Sequence, residues 1–120
     1  GGIEVCVFNL DSIAERGEFP TRGKIVGIAL ETLDSGKPLM AIGWGKRSVI
    51  FRLNDGAVEK GAKADEIIRH VKTSLVDFIE NGGGHSRAAA LRIKEGYEAI
   101  ALDAILAYIG SGKRQGGLGK

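Results

Sequence analysis

A chain of 120 residues is one domain's worth and can bury a core without disulfides or a structural metal. Its 43% hydrophobic and 27% charged residues fit a soluble globular protein, and 6% aromatics imply an aliphatic core. The net charge is +2, but Lys113, Arg114 and Lys120 sit in a terminal stretch without acids, so the rest carries 14 basic against 15 acidic residues. A near-neutral body does not coat nucleic acid by bulk charge, so any such contact must come from a local cluster. The single Cys6 excludes an internal disulfide and supplies no metal-ligand pair. No run approaches the length of a membrane span and no signal-peptide pattern appears, so a cytoplasmic location is the default expectation. The start at Gly1-Gly2, without an initiator Met, fits a piece cut from a larger protein.

In chain order, Ile3–Leu10 is rich in β-branched residues and predicts a strand. Asp11–Arg22 is polar and punctuated by Gly17 and Pro20. Lys24–Leu33 is a second apolar run, read as a strand with Gly27 and Ala29 on one face. After the Asp34–Lys37 turn, Pro38–Trp44 and Ser48–Leu53 predict two more strands joined at Gly45–Arg47. Period-2 alternation puts Val49, Phe51 and Leu53 on one face and Arg52 on the other. Short connections predict an antiparallel meander for these four strands.

Asn54–Lys63 reads as a polar loop. Ile67, Ile68, Val71, Leu75, Phe78 and Ile79 then recur at three- and four-residue spacing, which predicts an amphipathic helix over Ala64–Glu80, stopped by Asn81-Gly82. Ala88–Ile93 predicts a fifth strand, and Gly96–Gly110 a second helix. The expected fold is α/β in the broad (α+β) sense: a single mixed, about five-stranded sheet with two helices on it, in the order β-β-β-β-α-β-α. Residues 1–110 form the domain, and 111–120 a flexible basic tail.

The chemistry concentrates in Asn81-Gly82-Gly83-Gly84-His85-Ser86-Arg87-Ala88-Ala89. Three consecutive glycines cannot serve a helix or strand interior, so the stretch is expected to form a phosphate-contacting turn. They allow close backbone approach, and N–H groups turned inward can cradle a phosphate. A helix C-cap explains one glycine but leaves two and a histidine as surplus. An imidazole beside a phosphate can donate a hydrogen bond or move a proton, which makes His85 the catalytic candidate. Gly82, Gly83 and Gly84 are expected to bind substrate, with Arg52 and Arg87 as guanidinium donors to phosphate oxygens. For Arg87, as for Arg92, Lys46 and Arg47, a solvated surface charge is the competing reading. His70 reads as a surface residue, and Trp44 as structural although it could stack a base.

Gly82-Gly83-Gly84-His85-x-x-Ala88-Ala89 resembles the GGGHxxAAG signature of the C-terminal DHH-associated domain of DHH phosphoesterases, such as RecJ-like single-strand exonucleases and nanoRNases. Ala90 stands where the family's motif closes with glycine. The resemblance implies a substrate-binding domain for single-stranded DNA or RNA or short oligonucleotides, gripped through phosphate. It implies that His85 contacts that phosphate and that Arg52, on a strand resembling one of the family's, also touches substrate. It further implies manganese or magnesium in an N-terminal DHH domain of the parent chain, where an Asp-His-His run supplies ligands. This chain has no such run and only two histidines, so no cofactor is expected in it and the isolated domain should not hydrolyse phosphodiesters. Alternatives are an RNA-binding or association module like the end of alanyl-tRNA synthetases, or part of a cyclic-dinucleotide phosphodiesterase.

Overall fold

The computed structural model describes residues 2–14 and 22–113; the polar stretch 15–21 and the basic residues beyond 113 lie outside them. The elements are β1 (Glu4–Asn9), α1 (Leu10–Ala14), α2 (Arg22–Leu33), β2 (Leu39–Gly45), β3 (Ser48–Leu53), α3 (Asp55–Glu59), α4 (Ala64–Ser74), β4 (Ile79–Gly84), β5 (Ala88–Ile93) and α5 (Glu98–Lys113). They build one five-stranded mixed sheet in the order β1-β2-β3-β5-β4. The α+β class and the single mixed sheet are as expected from the sequence.

The order of elements differs in three places. Lys24–Leu33 belongs to α2 and is not a strand. Ile25 and Val26 are buried and Ala29 and Leu30 half-buried, while Ile28 is exposed, which is a helix burying one face. The β-branched composition of the run hides that spacing. With α1 and α2 between them, β1 and β2 can pair in parallel, Val5 opposite Met40 and Val7 opposite Ile42, so the start of the chain is a crossover and not a meander. The second difference is α4, which ends at Ser74, six residues short of the expected Glu80. Its stripe of Ile67, Ile68 and Val71 is buried, but the next turn would carry Val76, which is 69% exposed. Phe78 instead stacks on Tyr97 with ring centroids 4.3 Å apart. Third, the glycines follow as part of β4, an edge strand antiparallel to β5. In addition, the loop expected after Asn54 contains the short α3, and α5 continues past Gly110 to Lys113.

The sheet is covered on both faces. On one, Met40, Ile42, Val49, Phe51, Leu53, Leu91 and Ile93 meet Ile67, Ile68 and Val71 of α4 and Ala101, Ile105 and Ile109 of α5. On the other, Leu10, Ile25 and Val26 pack on Ala41, with Ile50 half-buried beside them. Gly43 makes this second layer possible, because a Cβ there would lie 2.8 Å from Val26 Cγ2 and 2.9 Å from Leu10 Cδ2. The second layer spans β2 and the near edge of β3. Ala90 and Gly83, further along that face, remain exposed.

Asn54 ties the layers together and is 4% exposed. Its Oδ1 accepts from the Ala57 N–H, capping α3, and from the Leu39 N–H, both at 2.9 Å. Its Nδ2 donates to Asp34 Oδ1 (2.9 Å) and to the Lys37 carbonyl (2.7 Å). All the hydrogen-bonding capacity that burial would otherwise leave unmet is used.

Candidate functional site

His85, Ser86 and Arg87 form the tip of the β4–β5 hairpin, and three backbone bonds fix that tip. The His85 N–H donates to the Ala88 carbonyl (2.9 Å), which closes the turn. The Ser86 carbonyl accepts from Ala64 N–H at the start of α4 (2.9 Å), and the Arg87 carbonyl accepts from Leu53 N–H at the end of β3 (2.8 Å). The histidine is therefore exposed on a backbone that the rest of the fold immobilises. Within the turn, the Arg87 N–H lies 3.4 Å from His85 Nδ1. A ring accepting at Nδ1 carries its proton, when neutral, on Nε2.

His85 opens onto a cleft of about 300 Å³. Arg52 and Arg87 share it, so the structure brings a β3 arginine together with two residues of the distant hairpin tip. Arg52 projects from β3 onto the face opposite the main core and lies against α2, where a Cβ on Gly27 would be 3.5 Å from its guanidinium carbon. Its Nε is buried and has no hydrogen-bond partner. A buried donor left unmet costs about 1–3 kcal/mol. Arg87 is bonded through Nη1 to Asp55 Oδ1, at the first position of α3. Glu31 and Asp34 line the cleft beside them. The Asp34 carboxyl is held below its usual range by the Gly36 N–H and then by the Asn54 amide, so it is ionised at neutral pH.

The three glycines do not join this cleft, and they do not form the inward-turned cradle expected of them. They are strand residues, and none has a left-handed φ. Gly82 and Gly84 pair with Leu91 and Ala89, which places both on the core side. A Cβ on Gly84 would lie 2.3 Å from the Ala88 carbonyl oxygen and 2.6 Å from Ala89 Cβ; one on Gly82 would lie 2.7 Å from Leu91 Cδ2. Both are glycine for steric reasons. Gly83 is different: a Cβ there would meet nothing within 4 Å. It pairs with Ala90 on the open half of the sheet face that also carries Arg52. From Gly83 to β3 is two strand spacings, roughly 10 Å.

The remaining cations lie elsewhere. Arg47, Arg92 and Lys46 gather at the far end of β3, where Ser48 pairs with Arg92, about 13 Å along the strand from Arg52. Each has an acid. Arg47 Nη2 bonds Glu80 Oε1 at 2.9 Å, Arg92 Nε is 3.6 Å from the same oxygen, and Lys46 Nζ is 3.5 Å from Glu95. Glu98 Oε2 accepts the Arg47 N–H at 2.6 Å and holds that residue at φ 65°. Burial raises the Glu98 carboxyl, but donors from Arg47, its own backbone and Gly96 outweigh it and leave it below the usual range. His70 lies tilted against Tyr108 on the surface, ring centroids 4.5 Å apart, and Trp44 packs half-buried against the core. Sequence reasoning missed Asn54 and Asp34, which shape the cleft; the Asn54-Asp55 pair before Ala57 is an N-cap signal that could have found the first. Among the described residues, no group of three His, Cys, Asp or Glu side chains could hold a metal ion, and no helix is long and apolar enough to cross a membrane.

No protein-family model matches the sequence, and no curated protein matches it. Solved structures do. A DHH-domain chain, described as a member of a family of ribosomal proteins, superposes with a TM-score of 0.78 at 25% identity, over 90% of this chain and 26% of that one. RecJ from Thermus thermophilus, in complex with Mg2+, gives 0.55 at 18% identity, over 90% of this chain and 15% of that one. The C-Ala domain of Aquifex aeolicus alanyl-tRNA synthetase gives 0.50 at 17% identity, over 89% and 88% of the two chains. The chain thus spans about a quarter of the first of these proteins. The fold is the one that the glycine–histidine resemblance implies.

Proposed function

We propose, from a chain with the fold of a DHH-associated domain, that it binds the phosphate backbone of single-stranded nucleic acid or short oligonucleotides for a DHH phosphoesterase. The observation that carries this reading is the convergence of His85 and Arg52 on one open cleft. In this reading Arg52 donates to a phosphate oxygen, and His85 donates from Nε2. Gly83 lets the ligand's continuation lie against bare strand. His85 is the residue placed to hold or move a proton at the phosphate, although the described residues offer no metal site. Manganese or magnesium, which would activate the attacking water, belongs in this proposal to an N-terminal DHH domain of the parent chain, in the cytoplasm.

The test is fluorescence anisotropy with labelled short single strands of DNA and RNA. His85→Ala and Arg52→Ala should each weaken binding about five- to tenfold, as expected for lost charge-assisted bonds, with urea unfolding confirming the fold. Arg92→Ala, at the far end of the sheet, should leave binding near wild type. Wild-type affinity in folded His85→Ala and Arg52→Ala overturns the reading. Manganese-dependent nuclease activity in residues 1–120 by themselves contradicts the assignment of hydrolysis to another domain. Intact turnover in a parent chain carrying His85→Ala, with weakened RNA binding, would point instead to an association module.

A further inference from the structure

β4 ends the sheet, so one of its sides is a strand edge. The His85 N–H donates to the Ala88 carbonyl, so along this antiparallel ladder His85 and Gly83 turn their polar groups toward β5. The N–H and carbonyl groups of Gly82 and Gly84 then face outward. Two contacts agree: Lys72 Nζ reaches the Gly82 carbonyl at 3.1 Å, and the Gly82 N–H bonds Asn81 Oδ1 at 2.8 Å. Both of these partners are exposed side chains that can swing aside. An edge of this kind accepts a further strand unless it is blunted, and here the register irregularity lies at the other end, between Ile79 and Asn81. Beside the edge, between β4 and α4, runs a groove of about 450 Å³. Ile68 and the exposed Val76 give it apolar wall. Asp65 and Arg69 face one another across 3.8 Å, which leaves Lys72 as its surplus charge.

We propose that the β4 edge and α4 form a docking groove for an extended acidic peptide, which adds a strand to the sheet. A peptide N–H replaces Lys72 at the Gly82 carbonyl, and a peptide carbonyl replaces Asn81 at the Gly82 N–H. Lys72 is thereby freed to meet an acidic side chain of the peptide, whose apolar neighbours lie against Val76. With no side chains on Gly82, Gly83 and Gly84, the incoming backbone can approach closely. The pattern of polar groups selects the occupant. The edge offers donors and acceptors together, and a strand answers both, whereas a nucleic-acid phosphate only accepts and leaves the glycine carbonyls unmatched. A second copy of this chain, paired edge to edge, would set its own Lys72 near this one, and like charges across a strand pair repel. An acidic segment meets neither obstacle. The groove lies on the edge of β4, apart from the His85 cleft, so the proposal stands independently of phosphate binding there.

The test titrates the 120-residue chain into a labelled seven-residue peptide with blocked ends, threonine at the odd positions and valine, glutamate and valine at the even ones. Lys72→Glu should weaken its binding about fivefold, the upper range for an exposed ion pair, and should favour a probe with lysine in place of the glutamate. Methylating the alternate amide nitrogens that face β4 should abolish binding, while methylating the other set should not. Hydrogen exchange should slow about tenfold at the Gly82 and Gly84 amides when the probe binds, but not at Gly83, which is already in the ladder. No protection at Gly82 and Gly84, or equal tolerance of both methylation patterns, overturns strand addition. Unchanged affinity in Lys72→Glu overturns the acidic occupant. Self-association of the chain alone that protects the same two amides makes a second copy the occupant and overturns the proposal. Protection of those amides by a short single strand of DNA or RNA, and not by the probe, assigns the edge to nucleic acid and overturns it too.

Discussion

Replacing each glycine of β4 by alanine separates a steric requirement from a functional one, because the three positions meet different surroundings. At Gly84 a methyl group would sit 2.3 Å from the Ala88 carbonyl oxygen and 2.6 Å from Ala89 Cα. Both belong to the paired strand, so the edge strand itself must move away from its ladder. Overpacking against backbone puts the loss at about 2–3 kcal/mol. At Gly82 the nearest atom, at 2.7 Å, is Leu91 Cδ2, the tip of a side chain that can rotate, but Leu91 is 2% exposed and the Ala90 oxygen follows at 3.1 Å. A loss of about 1–2 kcal/mol follows from that partial relief. At Gly83 there is open space and an ordinary strand φ, so Ala should stabilise the fold by about 0.5 kcal/mol through the unfolded chain. Urea unfolding of the three variants measures this order. Oligonucleotide anisotropy on the same samples should show Gly83→Ala binding about threefold more weakly, since a methyl group now projects where the ligand is to lie. Stability and affinity thus move in opposite directions at Gly83. A Gly83→Ala variant as destabilised as Gly84→Ala would refute the strand register. One that is stabilised but binds unchanged would refute the ligand path.

Asn54→Ala removes an N-cap and leaves the Leu39 N–H and Lys37 carbonyl unmet, so it should cost about 3 kcal/mol and lower Tm by roughly 10–15 °C; a loss below about 1 kcal/mol by thermal circular dichroism speaks against the hub. Asp34 and Glu98 both have folded-state pKa values below their unfolded ones, so the unfolded chain binds more protons in acid. Their contribution is complete above about pH 5 and disappears as pH falls through the folded values. Tm measured against pH should therefore drop less steeply between about pH 5 and 3 in Asp34→Asn with Glu98→Gln than in wild type, and parallel curves would show that neither carboxylate matters. Asp55→Asn releases Arg87 from its ion pair and withdraws a negative charge from the cleft, so it should tighten oligonucleotide binding about two- to fivefold at low salt. Weaker binding in that variant would mean that Asp55 serves the ligand by orienting Arg87.

The strands whose bounds were most legible in the sequence are those that bury one face and leave the other at least partly open, so that the alternation shows. β3 shows Val49, Phe51 and Leu53 inward and Arg52 outward, and its bounds match the prediction. β5 likewise runs over the expected Ala88–Ile93. The misread segments are those where composition and geometry disagree. In α2 the β-branched Ile25, Val26 and Ile28 suggest a strand, but the partner surface is the face of β2 opened by Gly43, and a helix fits there. Nothing local in Lys24–Leu33 announces that partner, which lies in another strand. For β4 the glycine composition argues against a strand on intrinsic grounds, and tertiary pairing overrides it because Leu91 and Ala89 need the space.

The placement of His85 follows from the same steric fact. If β4 carried side chains at 82 and 84, it could not sit this close to β5, and the hairpin tip would not reach both Leu53 and Ala64 to make its two outside bonds. Gly82 and Gly84 therefore act on the site through the backbone: they bring the turn down onto the ends of β3 and α4, beside Arg52 and Asp55. The motif reads in sequence as one contiguous cradle, but in the fold it divides the labour. Two glycines set where the histidine stands, the third leaves open space on the sheet face, and the charged partners arrive from β3, α3, α2 and the turn between α2 and β2. A motif that works in this way keeps its His85 position only as long as the strand pairing holds, so loss of binding in Gly84→Ala should track its loss of stability, whereas loss in His85→Ala should not.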